Sequence, residues 1–170
     1  EEEGRLHDPG LRENFIERIF TLKRYREECC SKKIQDLIAF HSDHKLLLMS
    51  HSPSGLKEMG ELTANAKKYN PGKLLKDYEK LLLKNLKLKA TVKKNYNVLE
   101  HMLGYFKKEL DSFEKEEILD IMKDYKKNLI SLIVPATMFK HYSRKYNKEY
   151  LLRQTYLNPH PVELKLRNYC

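Results

Sequence analysis

The stretch "NYNVLEHMLGYFKKEL", residues 95–110, decides the fold class because its residues recur at helical spacing. One row, extended back by one turn, is apolar and is predicted to face a core: Val92, Tyr96, Leu99, Leu103, Phe106 and Leu110. A second row is polar, aromatic and basic: Lys94, Asn97, His101, Tyr105 and Lys108. The pattern predicts a helix from about Thr91 to Leu110 whose second side is either solvated or functional.

Helix signals continue on both sides of this stretch. Ser52-Pro53 and Asn70-Pro71 each place an N-cap before a proline, which predicts helices at about 53–68 and 71–89. Asp111 and Glu114 form a capping-box pattern that begins another helix. Five apolar residues mark a first helix that ends near Glu28: Phe15, Ile16, Ile19, Phe20 and Leu22.

The remaining segments also favour helices. Ser31 is predicted to cap a second helix, with a break in "HSDHKLLLMSH", residues 41–51. Pro135 marks a helix start or a kink, and a shorter helix is predicted near 148–156. Strand alternation is nearly absent. The sequence predicts an all-α, compact single-domain bundle of about seven to nine helices.

The charge is uneven along the chain. Residues 1–28 hold eight acids and six bases, which leaves residues 29–170 with 27 bases, 16 acids and a net charge of +11. A positive field of this size attracts nucleic acid or an anionic membrane surface. Lysines that only keep helices soluble are the alternative reading.

Cysteine and histidine patterns predict neither a disulfide scaffold nor a metal site. Cys29 and Cys30 are adjacent and lack metal-ligand spacing, so they are interpreted as ordinary thiols in a reducing cytosol. His41, His44 and His51 share a helix side, but a structural or RNA-contacting role is favoured over metal binding. No run of 18 apolar residues occurs, which predicts a cytoplasmic protein without a membrane span.

Four blocks resemble, in order, the signature blocks of the YbgA-like domain of bacteria: "FHSDHKLLLMSHSP", "NYNVLEHMLGYFKKEL", "LIVPATMFKHY" and "YLNPHPVELKLRN". They span about residues 36–168. Asn97 and His101 fit the family pattern. Asn95 and Tyr96 stand where the family more often has His and Thr, so Asn95 is left out of the predicted contacts.

The opening "EEEGRLHDPGLRENFIERIF" resembles the junction that follows a thiouracil-desulfidase-like domain. The resemblance implies that residues 1–28 are a junction segment and first helix, that residues 29–170 are the YbgA-like domain, and that an iron–sulfur domain precedes Glu1. Such fusions remove sulfur from 4-thiouridine in tRNA. No cofactor is expected in this chain itself, and no catalytic cysteine transfers to Cys29, Cys30 or Cys170.

The leading hypothesis is an RNA-binding domain that positions thiolated tRNA for the adjoining desulfidase domain. Seven cations are predicted to contact phosphates: Lys93, Lys94, Lys107, Lys108, Lys140, Arg144 and Lys145. Five side chains are predicted to meet bases or ribose: Asn97, His101, Tyr105, His141 and Tyr142. The secondary candidates are His44, Lys45, His51, Arg153 and His160.

Two alternatives remain open at the level of sequence. The domain could be a protein-interaction or dimerisation module. It could also be an enzyme in its own right if separate helices bring His44, His51, His101 and His141 into one pocket.

Overall fold

A computed structural model describes residues 3–164 and 166–168 as a helical bundle. It contains eight α-helices and five short 3-10 turns, and the described residues form no strand, so the predicted fold class is confirmed. The helices are α1 Pro9–Glu28, α2 Ile34–His51, α3 Pro53–Ala64, α4 Pro71–Leu86, α5 Val92–Leu103, α6 Ser112–Lys126, α7 Ile133–Lys145 and α8 Glu149–Arg153.

Side-chain caps fix several helix starts as the sequence predicts. Ser52 accepts a hydrogen bond from the Gly55 amide at 3.0 Å, and Asn70 accepts one from the Gly72 amide at 3.0 Å. The capping box at α6 is complete, because the Asp111 carboxylate and the Glu114 side chain each accept the other residue's amide hydrogen bond. These caps satisfy N–H groups that a helix start otherwise leaves unpaired.

Other boundaries differ from the prediction. Helix α2 runs unbroken to His51, and Ser31 lies outside it, with its hydroxyl hydrogen-bonded to the Asp36 carboxylate instead. Helix α5 ends at Leu103, and Gly104–Phe106 continues as a 3-10 turn. Gly104 lowers helix propensity at that point, which explains the early end of α5. Pro135 lies in the first turn of α7, which supports a start over a kink.

The core lies between α2, α4, α5 and α7. Val98, Leu99, Met102 and Phe106 are almost fully buried along the stretch that predicted the fold. The other members of the predicted apolar row, including Tyr96, are only partly buried against this core. The buried side of α5 is therefore centred one residue away from the predicted row.

Helix α1 buries polar residues. Its inward side carries Glu13, Asn14, Glu17 and Thr21, whereas the five apolar residues that mark it in the sequence are half-buried or, for Ile19, 46% exposed. Interior partners explain this orientation: the Asn14 amide donates to the Leu86 carbonyl at 3.1 Å. Among the described residues, none of the helices is apolar over a length that would cross a bilayer.

Candidate nucleic-acid interface

Three segments meet at one end of the bundle. The Tyr105 ring, after α5, stacks on the Tyr150 ring of α8 with centroids 5.2 Å apart. The Lys148 ammonium, just before α8, donates to the Glu109 carboxylate at 2.6 Å. Phe106 contacts Tyr142 of α7 at 6.4 Å between ring centroids. These contacts hold the turn after α5 beside the C-terminal end of α7 and the start of α8.

Seven predicted contact residues belong to the segments that meet here, the end of α5 with the turn after it and the C-terminal half of α7, and we call this set the basic end: His101, Tyr105, Lys107, Lys108, His141, Arg144 and Lys145. All seven are exposed. Within the described part of the chain, neither Lys107 nor Lys108 has an ion-pair partner. The basic end can therefore offer cations and an exposed aromatic ring to an anionic ligand.

Glu114 moderates the charge of the basic end. Lys145 donates to the Glu114 carboxylate at 2.6 Å, and the Tyr146 hydroxyl donates to its other oxygen at 2.5 Å. The hydrogen bond from Lys145, followed by that from Tyr146, lowers the pKa of Glu114 to about 2. Lys145 is thus partly neutralised by Glu114, although its side chain is exposed like that of the preceding residue, Arg144.

A groove of about 530 Å³ runs along the other edge of α7. Lys140 and Arg144 line one wall, and residues 157–161, 163 and 166–168 line the other. Lys140 donates to the side-chain oxygen of Asn158 at 2.7 Å. His160 is half-buried in this segment, and burial lowers its pKa. The groove therefore brings the "FKHY" and "NPHP" blocks together.

Four predicted contacts are turned away from solvent. Tyr142 is buried, and its hydroxyl donates to Glu117 at 3.1 Å. The Lys94 ammonium donates to the His51 carbonyl at 2.7 Å and to the Lys89 carbonyl at 3.0 Å. His44 and His51 are buried. These placements argue against direct RNA contact by the four residues as the structure stands.

The other predicted residues are scattered. Lys93 is exposed at the start of α5, and a helix of this length separates it from Lys107 by more than about 15 Å. Asn97 is half-buried midway along α5, and Lys45 is exposed on α2. Arg153 is exposed and pairs with Asp43 at 3.4 Å. Lys93 therefore does not share a contact surface with Lys107.

The histidines do not form a common pocket. His44 bonds the Phe40 carbonyl through Nδ1 at 2.9 Å, and His51 bonds the Leu88 carbonyl through Nδ1 at 2.7 Å. His101 and His141 are exposed on α5 and α7. Burial lowers the pKa of His44 to about 4, so this ring is neutral at physiological pH. This placement gives the enzyme hypothesis no assembled site.

A buried ionic centre was missed by the sequence reasoning. Arg167 donates from Nε to Glu13 at 2.9 Å and from Nη2 to Glu17 at 2.7 Å. The second oxygen of Glu17 lies 3.2 Å from Nε2 of His51. Burial alone would raise the pKa of Glu17, but the charge of Arg167 and the His51 hydrogen bond lower it to about 2. The centre joins α1, α2 and the C-terminal segment.

Among the described residues, the same two carboxylates and His160 form a group whose spacing would suit a metal ion. One ligand atom from each of Glu13, Glu17 and His160 lies within 4.8 Å of the others. The Arg167 guanidinium already supplies positive charge to both carboxylates, so a cation there would have to displace it. Glu13, Glu17 and Thr21 recur every four residues, which places them on one side of a helix. This polar row was the signal in the sequence that could have indicated the ionic centre.

The comparisons with known proteins identify a family. Residues 45–161 match a family described as a protein of unknown function, DUF1722. The chain belongs to the DUF1722 family. It is also 27% identical over 133 residues to the "Uncharacterized protein YbgA" of Escherichia coli strain K12, which covers 78% of this chain and 79% of that protein. No solved structure matches the chain.

The DUF1722 match contains the whole basic end and most of the bundle. It runs from the middle of α2 to the residue after His160. Glu13, Glu17 and Arg167 of the buried ionic centre lie outside the matched residues. The centre therefore ties the flanking parts of this chain to the DUF1722 region.

Proposed function

We propose that this DUF1722 chain is a tRNA-binding auxiliary domain of the cytoplasm. It positions thiolated tRNA so that an adjoining iron–sulfur desulfidase domain removes sulfur from 4-thiouridine. The observation that supports the proposal is the basic end, where exposed cations and an exposed tyrosine ring belong to segments that are in contact.

The chemistry of the basic end suits RNA. Lys107, Lys108 and Arg144 supply unshielded positive charge for phosphates. The Tyr105 ring, already stacked on Tyr150, can extend the stack with an unpaired base. His101 and His141 can hydrogen-bond to bases or to ribose hydroxyls. RNA is favoured over duplex DNA because its loops expose unstacked bases beside phosphates.

The decisive experiment is a fluorescence titration of labelled tRNA with the double variant Lys107→Glu/Lys108→Glu at several salt concentrations. We expect a loss of affinity of at least tenfold and a shallower dependence of log K on log salt, because two phosphate contacts become repulsions. Lys67→Glu/Lys68→Glu is the matched control, since it reverses two adjacent exposed lysines in the 3-10 turn after α3. Equal losses in the two double variants would contradict the proposal.

A second candidate function, a protein-interaction or dimerisation module, is favoured by α1. Its apolar residues Phe15, Ile16 and Phe20 are only half-buried, and Ile19 is exposed. This reading predicts self-association that rises with protein concentration and that is reduced by Ile19→Glu. Sedimentation equilibrium of the two proteins with and without tRNA separates it from the first proposal.

A further inference from the structure

A pocket of about 440 Å³ opens between the end of α5 and the start of α6. Its apolar lining comes from Leu103 and Leu110, which are half-buried, and from Phe106, which is almost fully buried. The volume is within the range of about 300 to 1,000 Å³ that small-ligand sites occupy. The pocket therefore offers an apolar surface large enough to cover the ring of a small ligand.

Gly104 forms an open part of the pocket wall. Its backbone is ordinary helical, with φ −58° and ψ −26°, so its conformation does not require glycine. A Cβ atom at this position would have no heavy atom of a packed neighbour within 4 Å, so packing does not require glycine either. Glycine does allow a ligand to approach the backbone closely. A larger side chain here would enter the space of the pocket.

Two lysines give the mouth of the pocket a positive charge. Lys107 and Lys115 line the pocket and are exposed, and neither has an ion-pair partner among the described residues. Glu100, also exposed, is the acidic residue that lines the pocket within the described part of the chain. The lining residues therefore carry a net positive charge, which favours a ligand with an anionic group.

The acidic side chains between the two lysines bind other groups. Glu109 accepts a hydrogen bond from Lys148 at 2.6 Å, and Glu114 accepts one from Lys145 at 2.6 Å. The Asp111 carboxylate accepts the Glu114 amide at 2.8 Å and caps α6. A ligand with an apolar body and a negative end therefore meets two lysines that these carboxylates leave available.

The position of the pocket indicates which anion it receives. Lys107 belongs both to the basic end and to the pocket, and Gly104 directly precedes Tyr105. A nucleic-acid strand whose phosphates contact Lys107 and Lys108 therefore passes beside the mouth of the pocket. Each nucleotide of such a strand combines a phosphate with a flat base, and the face of every base can pack against an apolar surface.

We propose that this pocket binds one unpaired base of a nucleic-acid strand and that Lys107 and Lys115 hold the phosphate of the same nucleotide. The ring lies against Gly104 and the apolar lining. The inference rests on the proposed function for the strand itself and deepens that function by assigning the place where a base is held. Binding of a free nucleotide does not require tRNA.

The test is a titration of the ¹⁵N-labelled chain with adenosine 5′-monophosphate (AMP), followed by amide chemical shifts. We expect saturable shifts at residues 103–110 and at Lys115. Adenosine, which lacks the phosphate, and ribose 5-phosphate, which lacks the base, should each bind at least fivefold more weakly. Shifts scattered over the surface would overturn the proposal, as would binding of n-hexyl phosphate that equals or exceeds that of AMP.

A matched pair of glycine variants tests the location. Gly104→Leu fills the pocket and should abolish AMP binding without lowering the Tm, because its helical backbone and the open space accept a side chain. Gly4→Leu is the control, since Gly4 lies in the 3-10 turn Glu3–His7 and a Cβ there also has no neighbour within 4 Å. AMP binding that survives Gly104→Leu would contradict the assignment.

A second variant tests the phosphate contact and keeps the proposal testable if Gly104→Leu is poorly folded. Lys115→Gln should weaken AMP binding at least threefold and leave adenosine binding unchanged, because only AMP carries the phosphate. Lys76→Gln, at an exposed position of α4, should leave both unchanged. Equal losses of AMP and adenosine in Lys115→Gln would contradict the proposed role of this lysine.

The outcome can be separated from that of the tRNA experiment. Gly104 and Lys115 are not among the residues reversed there, and the AMP titration contains no tRNA. If AMP occupies the pocket while tRNA affinity ignores Lys107→Glu/Lys108→Glu, the pocket stands and the tRNA surface is wrong. If tRNA binding behaves as expected but AMP causes no saturable shifts, the pocket assignment alone fails.

Discussion

The Nη2 atom of Arg167 donates a 2.7 Å hydrogen bond to Oε1 of Glu17, a residue 150 positions earlier in the chain. Both side chains are almost completely buried. A buried ion pair is costly to desolvate, and removing one partner leaves the other charge uncompensated. This relationship gives the first prediction.

Arg167→Met should destabilise the protein by about 3 to 5 kcal/mol, because it leaves Glu13 and Glu17 buried without their shared cation. Urea unfolding followed by circular dichroism measures the loss. Lys80→Met is the control, since Lys80 also forms an ion pair, with Asp77, but on the surface. We expect that control to change stability by less than about 1 kcal/mol. Similar losses in both variants would mean that the buried centre contributes no more than a surface pair.

The free energy of unfolding should decrease in two separate pH ranges as the solution is acidified. The folded pKa of His44 is about 4, against 6.5 for the free side chain, because burial disfavours the charged ring. The unfolded chain therefore binds more protons, and stability falls as the pH drops from about 6.5 to 4. His41, whose pKa burial likewise lowers to about 4, adds to this range.

The second pH range of destabilisation arises from protonation of Glu17. Its folded pKa of about 2 lies below the ordinary 4.5, so its stabilisation is complete above that value and is lost as the pH falls toward 2. Urea unfolding at pH 7.5, 5 and 3.5 maps both ranges. His44→Leu should lose less stability than the parent between pH 7.5 and 5, and an unchanged slope would exclude His44 as a source.

Tyr105→Ala should weaken tRNA binding about 5- to 150-fold, which corresponds to the roughly 1 to 3 kcal/mol of one base stacked on an aromatic ring. Tyr142→Phe should leave tRNA affinity unchanged, because its ring and hydroxyl are directed at Phe106 and Glu117. The same fluorescence titration measures both. A larger loss in Tyr142→Phe than in Tyr105→Ala would place the interface elsewhere.

The adjacent thiols should differ sharply in reactivity. Burial, with a contribution from Glu28, raises the pKa of Cys29 to about 12, whereas Cys30 is exposed. Iodoacetamide at pH 8 should therefore modify Cys30 rapidly and leave Cys29 intact. Mass spectrometry of the peptide from Cys29→Ser and from Cys30→Ser assigns the two rates. Rapid modification of Cys29 in the Cys30→Ser protein would show that the C-terminal end of α1 opens readily.

Local chemistry predicted much of the fold. The caps at Ser52, Asn70 and Asp111 depend on neighbouring residues, so the starts of α3, α4 and α6 could be read from the sequence. The end of α5 was harder to place, because Gly104 lowers helix propensity while the apolar row continues past it to Leu110. Residues 169 and 170 belong to a tail whose sequence fits either a short helix or an extended strap, and they lie outside the described residues.

The orientation of α1 could not be predicted from its own residues. An amphipathic pattern predicts that the apolar side of a helix faces the core. In α1, Glu17 faces the core instead, because it forms a hydrogen-bonded ion pair with Arg167. Asn95 illustrates the same limit, since its burial depends on a bond from Tyr156, 61 positions away. For the basic end, the sequence supplied the residue types, but only the fold showed that Tyr142 is turned away from solvent.

The buried polar residues of α1, Glu13 and Glu17 among them, also affect how the chain behaves while it is being translated. A ribosome adds about 5 to 20 residues per second, so roughly 8 to 30 s separate the translation of Glu17 from that of Arg167. During that interval Arg167 is not yet available to Glu13 and Glu17. Before Arg167 is made, the polar side of α1 is solvated by water and does not promote association with other nascent chains. Leucines at the same positions would expose an apolar surface and favour aggregation.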